Sequence, residues 1–161
     1  MSDTTMTLTE QRLLEKCREI EILCKELYLH FSKLYADDAE ASCLWQKTAD
    51  EEQNHAEQFT LAIKLKSGLS CQVTVDSNQV DSIISQMKAV IEKVRLNPPT
   101  LQEALAHAIR LEKYLAEFHL GCVVTFTDKN CKNMFNAMMA SDNEHIESLK
   151  SAYDRLTAVQ D

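Results

Sequence analysis

The sequence predicts an all-α fold, a bundle of long helices in one domain. The 161 residues include only two glycines and two prolines, so signals for turns are scarce. Apolar residues make up 45% of the chain and recur at helical spacing through five long stretches, and no series of regularly spaced strands is visible. We therefore expect a single domain over residues 1–161 with a core of its own.

Composition also argues against several classes of function. The net charge is −8 and there is no basic stripe to neutralise phosphates, so we expect no nucleic-acid binding. No run of 18 or more apolar residues appears and the first residues are polar, which indicates a cytoplasmic protein without membrane contact. None of the six cysteines forms a Cys-x-x-Cys pair, so a zinc ribbon, a rubredoxin-type iron centre and a thioredoxin motif lack support. Cys17 and Cys24 are expected to be small core residues.

Helices are expected over residues 8–36, 38–67, 77–96, 100–126 and 128–158. A capping signal precedes each of them, and Asn97-Pro98-Pro99 ends the third. The signals are Thr7 with Glu10, Asp37 or Asp38, Asp76 or Ser77, Thr100 with Glu103, and Thr127-Asp128.

The first two helices are expected to form an antiparallel hairpin because only a short break separates them. Glu21 falls inside the apolar stripe of the first helix, whereas three other glutamates fall on its opposite face. Glu52 and His55 lie in the centre of the apolar face of the second helix, with Glu51 at its edge. Two carboxylates and one imidazole of this hairpin are therefore predicted to point inward.

About thirty residues separate this hairpin from the next long helix, enough to cross the bundle from end to end. Residues 69–75 are expected to be a loop, with locally extended backbone as the alternative. The helix over residues 77–96 is auxiliary, and it is expected to lie within this crossover.

The last two helices repeat the first hairpin. Glu112 is central in the apolar stripe of one, and Asp142 and His145 are the inward polar pair of the other. Thirty-four positions separate Glu21 from His55, and thirty-three separate Glu112 from His145. A pseudo-two-fold axis relating the hairpins would bring both histidines and all four inward carboxylates to one midpoint.

Such a cluster is the donor set of a metal centre. Burying a carboxylate without a partner is costly, so the alternative is that some of these groups are exposed, protonated or paired with the histidines. Four carboxylates balance the charge of two divalent cations, and oxygen and imidazole ligands without thiolate suit iron or manganese, with zinc also possible. We predict two metal ions, and the candidate ligands and catalytic residues are Glu21, Glu52, His55, Glu112, Asp142 and His145.

The pattern resembles the rubrerythrin branch of the ferritin-like superfamily over roughly residues 13–156. The resemblance implies a ferritin-like antiparallel four-helix bundle of two repeated helical hairpins, with a long crossover that carries the extra helix. Five of the six residues match ligands of that family, while Asp142 occupies a position that normally holds glutamate. Tyr28 and His119 resemble groups that hydrogen-bond the ligands, and ordinary core packing is the alternative for both.

The family implies a redox reaction of bound Fe(II) with peroxide or oxygen. Three departures bear on this expectation: Asp142 is one methylene shorter than glutamate, Leu115 stands where rubrerythrins carry an additional glutamate, and no rubredoxin-like domain is present. An external electron donor, such as a rubredoxin-like protein, is therefore expected, and an exposed helix face is expected to support a homodimer. If one metal position is weak, we expect it on the side of Asp142.

Two other interpretations stay open. One is an iron-binding or storage protein that oxidises Fe(II) only for deposition. The other is a non-catalytic bundle with a degenerate metal site centred on Asp142.

Overall fold

The computed structural model describes residues 6–65, 69–71, 76–121, 124–126 and 129–158. Within these ranges the chain forms five helices and two short strands, and the predicted helical bundle is confirmed. The elements are α1 (Leu8–Leu34), α2 (Ala39–Leu65), β1 (Leu69–Cys71), α3 (Ser77–Leu96), α4 (Leu101–Gly121), β2 (Val124–Phe126) and α5 (Lys129–Ala158).

Local capping sets the starts of the helices. At α1 the Thr7 hydroxyl oxygen accepts a hydrogen bond from the Glu10 backbone N–H at 3.2 Å, and the Glu10 carboxylate accepts one from the Thr7 N–H at 2.6 Å. This is the predicted capping box. The other caps confirmed among the described residues are Thr100 with Glu103, Asp38 and Asp76. The predicted cap at Thr127-Asp128 lies outside the described residues.

Two antiparallel hairpins form the body of the bundle. α1 packs against α2 along its length and α4 packs against α5, while contacts between α2 and α5 join the hairpins and α3 covers α1. Among the described residues, no helix combines the length and the apolar character needed to span a membrane.

A short antiparallel ribbon ties one end of the bundle together. β1 follows α2 and pairs with β2, which connects α4 to α5, and Ser70 lies opposite Thr125. The C-terminal ends of α2 and α4 therefore lie at the same end of the bundle. The 20 residues of α3 rise about 30 Å, which returns the chain along the bundle to the start of α4.

The helix predicted over residues 100–126 is too long, because α4 ends at Gly121. Phe126, which the helical spacing places on the apolar stripe, lies instead in β2. Val124 and Thr125 are β-branched and favour extended backbone, and glycine is a poor helix former. The partner strand comes from residues 69–71, in the predicted loop, so the pairing depends on a contact distant in sequence.

The core lies between the helices and follows the predicted apolar stripes. Trp45, Tyr28 and Phe31 are its largest fully buried side chains. Val90 is an exception: it lies at the helical spacing of the apolar residues of α3, yet it is 43% exposed.

Candidate metal centre

All six candidate ligands are buried in the middle of the bundle. Their exposed fractions range from 1% for Glu21 to 3% for His55, Asp142 and His145. They come from four different helices, α1, α2, α4 and α5. The inward orientation predicted from helical periodicity is thus observed for every one of them.

A first group of three donors combines α1 and α2. The Nδ1 atom of His55 lies 3.5 Å from Glu21 Oε2 and 3.3 Å from Glu52 Oε2. Glu52 and His55 are one helical turn apart on α2, so both side chains project from the same face. The three residues bring donor atoms within 4.8 Å of one another, close enough to bind one ion.

A second group combines α2, α4 and α5. The Nδ1 atom of His145 lies 3.3 Å from Glu52 Oε1 and 3.9 Å from Glu112 Oε2. Glu52 therefore belongs to both groups and offers one carboxylate oxygen to each. The rings of His55 and His145 stack with centroids 5.5 Å apart.

The geometry of these donors fits metal ligands. Glu52 Oε1 and the Nδ1 atoms of His55 and His145 are buried and have no hydrogen-bond partner among the described residues. Their separations of 3.3–3.9 Å exceed the usual N–H···O distance of about 2.7–3.2 Å. Two ligands that each lie about 2.1 Å from a tetrahedral ion are about 3.4 Å apart. Because buried polar atoms without partners are rare, the residues present fit a bound cation.

Electrostatics in the metal-free protein point the same way. Burial lowers the pKa of His55, but pairing with Glu21 and Glu52 outweighs this effect and raises the pKa to about 10. His145 is likewise buried, and Glu112 and Glu52 raise its pKa to about 11. Burial, followed by the charges of Glu112 and Glu21, raises the pKa of Glu52 well above its ordinary value. In the absence of a cation, protons held by the histidines and by Glu52 thus balance the negative charge of the buried carboxylates.

Asp142 stands outside both groups although it is buried. The aspartate side chain is one methylene shorter than glutamate, so its carboxylate ends nearer the backbone of α5. Its charge still reaches the site region, where it contributes to raising the pKa of the Cys24 thiol. The structure gathers five of the six predicted ligands into the two groups, and the role of Asp142 as a ligand stays a prediction.

Glu51 is a further functional candidate, although helical spacing puts it only at the edge of the apolar stripe of α2. Its carboxylate contacts Nε2 of His145, the ring nitrogen that points away from Glu52. Ser141 Oγ lies 3.3 Å from the same nitrogen. The one signal available in the sequence was the position of Glu51 beside Glu52, which does not reveal the partner on α5.

Tyr28 contacts the site as predicted. Its hydroxyl donates a hydrogen bond to Glu112 Oε1, and its ring stacks on Trp45 with centroids 5.6 Å apart. Burial and the Glu112 carboxylate raise the pKa of Tyr28 well above its ordinary value, so the phenol keeps its proton. The side chain of His119, the other residue predicted to support the ligands, lies outside the described residues.

Cys24 lies one turn from Glu21 on α1 and is fully buried. Burial is the main cause that raises the pKa of this thiol, and the nearby carboxylates raise it further. It therefore stays protonated and packs as a small core residue, which agrees with the sequence analysis.

Comparison of the chain with models of protein families, with curated proteins and with solved structures finds no match. The resemblance to rubrerythrins therefore depends on the spacing and placement of the residues described above.

Proposed function

We propose that this chain is a di-iron or di-manganese carboxylate protein of the rubrerythrin type. It would support a redox reaction of bound Fe(II) with peroxide or oxygen, with electrons returned by an external donor. The observation that carries the proposal is the position of Glu52, whose two oxygens each lie 3.3 Å from Nδ1 of a different buried histidine. A carboxylate shared in this way is suited to bridge two cations.

Each of the five grouped side chains has a distinct task in this proposal. Glu21 and His55 would hold one ion, and Glu112 and His145 would hold the other, with Glu52 spanning both. When bound, the two ions supply the electrons that reduce peroxide or oxygen. The surrounding apolar core excludes bulk water, and Tyr28 holds Glu112 in place through its hydroxyl.

The donor set favours iron or manganese. Carboxylate oxygen and imidazole nitrogen suit both metals, whereas a thiolate is absent from the two groups, and zinc is a further occupant that such ligands accept. The three grouped carboxylates carry three negative charges when deprotonated, and the buried Asp142 adds a fourth, which together match the charge of two divalent cations in a core where net charge is costly.

The direction of the helices supports a ferritin-like arrangement. α2 and α4 end at the same side of the bundle, and α3 lies in the long connection between them. This connectivity, with two antiparallel hairpins, is the one described for ferritin-like bundles with a single crossover.

The same proposal extends to partners and location. Because the chain has no Cys-x-x-Cys pairs to hold a rubredoxin-type iron, we expect a separate rubredoxin-like protein to act as electron donor. We also expect a homodimer and a cytoplasmic location.

Anaerobic loading with Fe(II) tests the proposal. The expected result is about two iron ions per chain by metal analysis, followed by rapid oxidation when hydrogen peroxide is mixed in a stopped-flow experiment. The matched control is Glu57→Ala, which removes an exposed carboxylate from α2 and should leave iron content unchanged. Fewer than about one ion per chain in the wild type would refute the proposal, since the site has room for two.

A non-catalytic bundle with a degenerate site is the second candidate, and the position of Asp142 outside both groups favours it. The two candidates differ in metal content, because a degenerate site would hold fewer than about one ion per chain. The molecular mass of the native protein tests the iron-storage interpretation. Storage requires a hollow oligomer, whereas we expect a dimer.

A further inference from the structure

Glu51 links the buried donors to the protein surface. The Glu51 side chain is 30% exposed, whereas the side chain of His145, which the Glu51 carboxylate contacts, is 2% exposed. The contact joins α2 to α5, so it crosses between the two hairpins. Glu51 thus lies on the outer side of the imidazole, with the metal donors on its inner side.

The two nitrogens of His145 have opposite surroundings. Nδ1 faces Glu52 and Glu112, while Nε2 faces Glu51 and Ser141. A neutral imidazole carries one hydrogen, and the partner that accepts this hydrogen decides which nitrogen keeps a free lone pair. A carboxylate can only accept, whereas a serine hydroxyl can donate or accept. The Glu51 carboxylate therefore directs the hydrogen to Nε2 and leaves the Nδ1 lone pair for a cation.

We propose that Glu51 is a positioning residue for the metal position formed by Glu52, Glu112 and His145. This inference rests on the proposed function, because it assumes that the position binds a cation. Carboxylates that accept the second N–H of a metal-bound histidine fix the ring orientation and strengthen the ligand. Glu51 would not itself touch the metal.

The two halves of the site then differ. The residue that precedes Glu52 is Glu51, and the residue at the equivalent place before Asp142 is Ser141. The second hairpin therefore has no carboxylate to offer to His55 from this place.

A Co(II) titration of the metal-free protein tests this role. Calorimetry gives the number and affinity of bound ions, and the visible absorption of Co(II) reports the ligands around each ion. For the wild type we expect about two ions per chain. For Glu51→Ala we expect affinity at one position to fall about 10–100-fold with an altered Co(II) spectrum, while the other position is unchanged.

Two single variants and one double variant separate positioning from general charge effects. Glu51→Gln keeps an amide oxygen that can accept the Nε2 hydrogen, so it should recover most of the affinity and the spectrum. Glu57→Ala removes a carboxylate from an exposed part of α2 and should bind both ions like the wild type. In a His55→Ala background, which leaves only the position of His145, Glu51→Ala should weaken the remaining ion by the same factor.

Wild-type affinity at both positions in Glu51→Ala would overturn this inference alone. So would an equal weakening of both positions, or an equal effect of Glu57→Ala, because either result would reflect charge rather than positioning. If the wild type bound no Co(II), the proposed function would fail first, and this inference would fall with it.

Discussion

Replacing Glu52 with glutamine tests the central arrangement of the site. An amide has nearly the shape of a carboxyl group but carries no charge and has only one acceptor oxygen. Because Glu52 serves both groups, Glu52→Gln should remove a ligand from both positions at once. Glu21→Gln and Glu112→Gln each remove a ligand from only one position, so they should retain about one ion per chain where the wild type holds about two.

The stability that bound metal adds to the folded state sets the expected size of the effect of Glu52→Gln. At an ion concentration 100-fold above the dissociation constant, each bound ion stabilises the folded state by about 2.7 kcal/mol. Two ions therefore add about 5 kcal/mol to the free energy of unfolding of the wild type. Glu52→Gln should lose nearly all of this gain.

In the metal-free protein, Glu52→Gln should leave the free energy of unfolding unchanged or raise it. A glutamate whose folded-state pKa is raised destabilises the fold above its unfolded pKa of about 4.3, because folding opposes loss of its proton. Glutamine removes this cost, so at neutral pH the metal-free Glu52→Gln protein should equal or exceed the wild type in stability. The gain should stay below about 1–4 kcal/mol, which is what replacement of a whole buried ion pair by apolar residues of similar volume contributes. The difference should vanish as pH falls through the unfolded pKa.

Urea unfolding monitored by circular dichroism measures both effects, once with a chelator and once with excess Fe(II) or Zn(II) under nitrogen. Glu57→Gln on the exposed side of α2 is the matched control and should follow the wild type in both conditions. A loss of about 3–5 kcal/mol in metal-free Glu52→Gln would show that Glu52 is a structural partner of the histidines. Retention of both ions by this variant would refute the shared carboxylate.

Three further predictions concern the neighbours of Glu52. In metal-free protein the pKa values of about 10 for His55 and about 11 for His145 keep both imidazoles protonated at neutral pH. Metal binding should therefore release about one proton per imidazole, which a pH indicator in weak buffer would measure. Metal affinity should also rise as pH rises towards 10, which titrations at several pH values would measure. Metal binding without proton release would contradict this prediction. Tyr28→Phe removes the hydrogen bond to Glu112 and should weaken metal binding by about 10-fold or more at that position, as calorimetry would detect; an unchanged affinity would mean that Tyr28 only packs. Asp142→Glu adds one methylene and should leave metal content intact or tighten one position in a competition assay, whereas a loss of metal would show that the shorter side chain is required.

Much of the fold could be predicted from the sequence because it depends on local rules. The period of 3.6 residues aligned Glu21, Glu52 and Glu112 with their apolar stripes, and burial of 1–2% confirms each of them. The capping boxes at Thr7 and Thr100 involve residues three apart, and the structure has both. The predicted end of α4 was wrong because residues 124–126 pair with β1, a segment more than fifty residues away that local helical spacing does not reveal.

The sequence by itself thus determined which side chains point inward, since periodicity places a residue on a face of its own helix. Only the tertiary structure decided which of them meet. Glu51 and Glu52 are neighbours in sequence, yet they contact opposite nitrogens of His145. Asp142 is inward and buried but stands outside both groups. These outcomes depend on the rotation and separation of the packed helices and on the shorter side chain of Asp142. The rotation and separation are set by contacts along the whole interface between the hairpins, not by the spacing of residues within either hairpin.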